Sequence, residues 1–220
     1  MRGDDGDDGD GRLFFLSYAR TVTGPVGVGP DRHVRVFFHD LMENIDQLVY
    51  LGAGEPTGFM DQEMRGGEKW PDELMHEAGT CQVLVALLSA RYLKSKWCRR
   101  EWHAFSQRAV HGRAGAAVSS RQGCIVPVLW APFPDDLPEH IGTTQVFTPD
   151  SAPLPAALGH YLEYGIFGLL RMGYLKESYE IVTWQLAQHI VDIFNSQRTE
   201  AREFVLAELD AGSGDDDHDR

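Results

Sequence analysis

The chain predicts an α/β fold: a doubly wound parallel sheet of five strands with helices on both faces and extra helices at the C-terminal end. Three observations carry this. Short apolar runs alternate with longer segments of helical periodicity, the pattern of strand–helix–strand units. The clearest run, CQVLVALLS (81–89), is apolar on both faces, as a strand in the middle of a parallel sheet must be. And 220 residues are enough for one domain with a sizeable core.

Each element follows from its local pattern. RLFFLSY (12–18) is an apolar, aromatic run ending at a Gly/Pro-rich stretch, so it reads as the first buried strand. Val34, Phe37, Phe38, Leu41, Ile45, Leu48 and Val49 then recur at helical spacing and define an amphipathic helix of about 18 residues. TGFMD (57–61) is a short strand candidate, followed by a glycine-bearing loop and a helix that Pro71 can open at its first position. After the 81–89 strand, Ser95 can cap a helix over 96–111. GCIVPVLW (123–130) is the fourth strand and TQVFT (144–148) a weaker fifth. Two helices complete the series near 154–172 and 175–196, the second placing Tyr179, Val182, Leu186, Ile190 and Ile193 on one face. Five strands so arranged suit the flavodoxin-like order, whose functional edge lies at the carboxyl ends of the strands.

Charge and cysteine usage narrow the function. The formal charge of −13 is concentrated at the ends: residues 1–12 carry −3 and residues 207–220 carry −5. The body is only mildly acidic, which argues against nucleic-acid binding through a basic surface. Low-complexity acidic tails at 1–11 and 198–220 are expected to be mostly disordered, leaving a folded unit over 12–197 whose helical extension is 154–197. Cys81, Cys98 and Cys124 are odd in number and form no CxxC pair, which fits free thiols in a reducing compartment. MRGDDGDDGDG has no signal-peptide character and VLVALL is too short to span a bilayer, so the expected location is cytoplasmic, without a membrane partner.

Several chemistries common in such folds are not encoded. A phosphoacceptor receiver needs acids after the first strand and at the end of the third, where this chain has SYAR and LLSARY. Gly27-x-Gly29-x-x-Arg32 lacks the third glycine of a dinucleotide fingerprint, and Pro30 interrupts it. No HExxH, no Cys/His ligand pairs and no GxSxG elbow occur, so no metal site or hydrolase triad is expected. Cys98 and His103, five apart on a helix, face different ways.

KSKWCRREW (94–102) is the informative stretch, because Glu101 has no basic neighbour at helical spacing. At 100° per residue, Cys98, Trp102, Phe105 and Ala109 fall within about 80–140° of Trp97 and form the core stripe. Trp97, Glu101 at about 40° and Arg108 at about 20° share one shoulder. Such a carboxylate can stabilise oxocarbenium character as the bond between a cationic nicotinamide and its ribose breaks, and the indole can stack on the ring. Equally, Glu101 can pair with Arg108 or another arginine while Trp97 only packs.

FFLSYAR, GFMDQEMRGGEKW and CQVLVALLSARYLKSKWCRREW, in that order, resemble the signature boxes of the TIR (Toll/interleukin-1 receptor) domain. The run S-x-x-Y-x-x-S-x-W-C-x-x-E, together with the two upstream boxes, carries the resemblance. The segment HYLEYGIFGLLRMGYLKESYEIVTWQLAQHIV resembles the C-terminal part of a bacterial TIR-like subgroup, the FxsC type, associated with a radical-SAM peptide-modification system. The resemblance implies a TIR fold and one of two functions. The first is NAD+ cleavage to ADP-ribose or a cyclic form, with NAD+ as substrate and no bound cofactor. The second is a self-associating signalling module, with a modified peptide or its maturase as a further partner. In the enzymatic case Glu101 is the catalytic carboxylate, Tyr18, Arg20, Asp61 and Trp97 contact substrate, and the loop with Arg65, Gly66, Gly67 and Lys69 closes over ligand or mediates assembly.

Overall fold

The computed structural model describes residues 11–20, 31–51, 57–60, 72–113, 123–133, 136–151 and 154–205. Residues 21–30 of the Gly/Pro-rich stretch, Asp61, the loop bearing Arg65, Gly66, Gly67 and Lys69, and Pro71 lie outside the described residues, as do residues 1–10 and 206–220.

Four parallel strands form the central sheet: β1 (Phe14–Ser17), β2 (Gly58–Met60), β3 (Val83–Leu88) and β5 (Ile125–Leu129), in the order β2-β1-β3-β5. Strand β3 is buried at all six positions, as its two-faced apolar run requires. Alternate strand residues feed two cores. Phe14, Leu16, Val83, Val85, Leu87, Val126 and Val128 face α1 (Arg32–Leu48), α6 (Pro155–Arg171) and α7 (Lys176–Ser196). Phe15, Leu84, Ala86, Leu88 and Ile125 face α2 (Asp72–Thr80) and the pair α3 (Ala90–Lys94) and α4 (Lys96–Ser106).

The C-terminal helices are part of the domain core. Tyr161, Ile166, Val182, Leu186 and Ile190 are fully buried in the first cluster. Helix α7 packs against both α1 and α6, and the Tyr179 hydroxyl donates to the Asp40 carboxylate of α1 at 2.6 Å. Helix α6 follows its sequence pattern closely, except at Gly165, whose φ of 64° breaks the helix. Phe167 N–H therefore leaves the helical ladder and donates to Trp130 O at 2.8 Å.

The expected fifth strand at 144–148 is extended chain held differently. After α5 (Glu139–Gly142), Phe147 N–H donates to Pro127 O at 2.8 Å. Pro127 directs its carbonyl to this outer side and has no N–H to offer there, so a ladder cannot continue. The Tyr161 hydroxyl takes its place, accepting from Leu129 N–H at 2.8 Å and donating to Phe147 O at 3.2 Å.

The helix expected over 96–111 stops at Ser106. The chain turns into β4 (Val110–Gly112), which pairs antiparallel with β6 (Gln197–Thr199) beyond α7. Arg108 is consequently not on the helix shoulder. It is buried at the turn, donating to the carbonyls of Ala78, Cys81 and Glu200. Packing also runs past residue 197, where the acidic tail was expected to begin: Arg202 N–H donates to Gly79 O and Phe204 is buried. Gly79 permits this approach, because a Cβ there would collide with the Arg202 carbonyl.

Candidate active site at the carboxyl edge of the sheet

The S-x-x-Y-x-x-S-x-W-C-x-x-E run folds as two short-range caps followed by a buried acid. Ser89 Oγ accepts from Tyr92 N–H at 3.2 Å and starts α3, and Ser95 Oγ accepts from Cys98 N–H at 3.3 Å and starts α4. Each serine satisfies a backbone donor that the first helical turn leaves without an intrahelical partner. The two caps fix the direction in which α4 leaves the end of β3, and so place Glu101 over the end of β1.

Glu101 is 6% exposed, on the buried side of α4 with Cys98, Trp102 and Phe105. Ser17 Oγ, at the last position of β1, donates to Glu101 Oε2. The same Ser17 oxygen lies 3.1 Å from the Tyr92 hydroxyl. Burial above all holds the Tyr92 hydroxyl well above its usual range, with the neighbouring Cys98 and Glu101 side chains adding to it. Burial also pushes the Cys98 thiol up, reinforced by the charge of Glu101. Both groups therefore stay protonated at neutral pH, and Cys98 is not a thiolate nucleophile.

Trp97 is half-buried beside this cluster, and the Arg100 guanidinium lies 4.6 Å from its ring centroid. Tyr18 points to the opposite face of the sheet from Ser17, as strand alternation demands, and its hydroxyl donates to Asp31 Oδ2 at 3.4 Å. It lines a cleft of about 290 Å³ between the ends of β1, β3 and β5 and the helices α1 and α6, whose walls do not include Trp97 or Glu101. Arg20, two residues after Tyr18, is half-buried. Thus Trp97 and Glu101 lie together on the α4 side of the sheet edge, and Tyr18 lies on the α1 side.

Ser17, which holds Glu101, and Tyr92, which meets Ser17, escaped the sequence reading. Their signal was present: along FFLS, Phe15 and Ser17 must share a face, and a hydroxyl ending an otherwise apolar strand needs a polar partner on that face. No such signal existed for Trp130 and Phe167, which meet across the cleft through tertiary packing alone.

A parallel α/β sheet with this set of residues at its carboxyl edge defines the class, and comparison defines the family. The chain matches the TIR domain over residues 39–153 and belongs to that family. A plant protein of Brachypodium distachyon named "Probable 2' cyclic ADP-D-ribose synthase BdTIR" is 26% identical over 132 residues. The match covers 56% of this chain and 53% of that protein, so the chain spans about half the length of its curated relative. No solved structure gives a significant match. Among the described residues, no helix is long and apolar enough to cross a membrane.

Proposed function

We propose that the protein cleaves the nicotinamide–ribose bond of NAD+, with Glu101 as the catalytic carboxylate. The observation that carries this reading is the buried Glu101 carboxylate held by Ser17 Oγ at the carboxyl edge of the sheet. As the C–N bond breaks, nicotinamide leaves as a neutral molecule and positive charge develops on the ribose ring. A preorganised carboxylate in a low-dielectric setting stabilises that charge strongly. Water or a hydroxyl of the same substrate then attacks the ribose carbon, giving ADP-ribose or a cyclic form. The name of the Brachypodium relative supports looking for a cyclic product.

Trp97 supplies the stacking surface for the nicotinamide ring, and the Arg100 guanidinium leaves that surface when substrate enters. Tyr18, Arg20 and Asp61 contact the substrate, and the loop carrying Arg65, Gly66, Gly67 and Lys69 closes over it. The test is nicotinamide release by the wild-type chain and by Glu101→Gln.

A second reading is a self-associating signalling module without turnover. It draws on the Arg100 guanidinium over the Trp97 ring and on the burial of Glu101 against Ser17. This reading predicts concentration-dependent association that Glu101→Gln leaves intact, with NAD+ unchanged. The FxsC-type resemblance adds a modified peptide or its maturase as the partner to assay in a cytoplasmic bacterial setting.

A further inference from the structure

We propose that the outward face of α4 is a docking surface for the acidic C-terminal segment of the same chain, with Asp215, Asp216, Asp217 and Asp219 meeting Lys94, Lys96, Arg99 and Arg100. The proposal does not rest on NAD+ cleavage, and its test uses no NAD+.

Helical spacing builds the surface. At 100° per residue, Lys96, Arg99, Arg100, His103 and Gln107 fall between about 200° and 300° from Trp97, opposite the stripe of Cys98, Trp102 and Phe105. Lys96 and Gln107 are exposed, and Arg99, Arg100 and His103 are half-buried. Lys94, exposed at the end of α3, extends the line. The single acid of α3 and α4 is Glu101, which is turned inward and 6% exposed. This face is therefore basic on a chain whose formal charge is −13.

The chain beyond α7 brings the acids to one end of that line. Arg202 N–H donates to Gly79 O, and its guanidinium donates to Gln107 O at 3.3 Å. Arg202 also stands close enough to His103 to add to the effect of burial in lowering its pKa. Phe204 is buried in the same core cluster as Leu74, Ala78 and Phe105. Val205 thus leaves the body beside the C-terminal end of α4, and residues 207–220, which carry −5, follow it.

The lengths agree. Lys96 and Gln107 are 11 residues apart, about 16 Å along a helix. Ten residues separate Val205 from Asp215, and a coil of that length has an end-to-end distance of about 18 Å. A tether whose reach matches the span gives the highest effective concentration at the far end. One exposed ion pair contributes little, so the docking must come from several pairs acting together, and salt must release it. The Arg100 guanidinium lies 4.6 Å from the Trp97 ring centroid, so docked carboxylates stand beside the sheet edge that holds Glu101.

The test is zero-length carbodiimide cross-linking of the full chain, read by peptide mass spectrometry. Lys69, Lys94, Lys96 and Lys176 are the lysines available, so the pattern is simple. Links from the Asp215–Asp219 segment should fall on Lys94 and Lys96 at low salt and vanish at about 1 M salt, where the screening length is about 3 Å. Lys176 and Glu180, 3.3 Å apart, supply an internal control link. The surface variant Lys96→Glu should lower the link to Lys94 at least about five-fold and leave the control unchanged. Mixing isotope-labelled and unlabelled protein should show links within one copy. Absence of tail links to Lys94 and Lys96, links that persist at high salt, or links spread equally over Lys69 and Lys176 overturns the proposal. Links found only between copies also overturn it, since the occupant would then be the tail of a second chain.

Discussion

Ser17 Oγ donates to the Glu101 carboxylate, joining residues 84 positions apart across the edge of the sheet. Ser17 also approaches the Tyr92 hydroxyl, so one side chain ties β1, α3 and α4 together. Ser17→Ala should therefore cost about 1–3 kcal/mol of stability, since a buried carboxylate loses a donor. It should also lower nicotinamide release more than substrate affinity, because the carboxylate is no longer held in place. Denaturant melts and a kcat-against-KM comparison check both halves. Ser17→Thr, which keeps the hydroxyl, should recover most of the loss.

Two glycines of α6 should respond in opposite senses. Gly165 has positive φ, and a Cβ there would meet Trp130 O at 2.6 Å, so Gly165→Ala should destabilise by about 1–3 kcal/mol. Gly159 has open space around its Cβ position and lies inside regular helix, so Gly159→Ala should stabilise by about 0.5–1 kcal/mol. Urea midpoints of the two variants report both signs.

Arg108 holds the chain beyond α7 to the body of the domain. Its guanidinium donates to Cys81 O at 2.6 Å, Ala78 O at 3.1 Å and Glu200 O at 3.0 Å. Burial lowers its pKa to about 10, so it remains charged at neutral pH. Arg108→Met leaves three carbonyls without this donor and should cost about 3 kcal/mol or more. Limited proteolysis should then cut within 197–205 faster than in the wild type, with α7 itself resistant.

Acid should weaken the fold partly through two histidines. Partial burial, with Arg202 beside His103 and Arg171 and Arg32 near His33, holds both below the ordinary value of 6.5. The unfolded chain then binds more protons than the folded one just below 6.5, so stability rises with pH across that window. The contribution is complete above 6.5 and is lost as pH falls through the lowered folded-state values. The drop in melting temperature between about pH 7.5 and 5.5 should be smaller in a His33→Gln, His103→Gln double variant.

Much of this fold was legible because the chain states it locally. Helices α6 and α7 and strands β3 and β5 appeared within a few residues of their final bounds, since long periodicity and two-faced apolar runs are decided by nearby residues. The ends of α4 and the pairing of β4 with β6 were not legible. They depend on Arg108 finding carbonyls on three distant segments, which no local pattern encodes. TQVFT has strand-like composition, but Pro127 and Tyr161 on other elements decide that it does not form a ladder. Helical spacing put Trp97 and Glu101 on one shoulder of α4, whereas the serine that holds Glu101 comes from a strand packed against that helix.

Nicotinamide release from NAD+, followed over a wide range of protein concentration for the wild type and Glu101→Gln, tests the central claim most directly. Release by the wild type that falls at least about 100-fold in a folded Glu101→Gln is the expected result, the size seen when one preorganised electrostatic group is removed. NAD+ left intact by the wild type at every concentration, or equal turnover by both proteins, would contradict the assignment of Glu101 as the catalytic carboxylate.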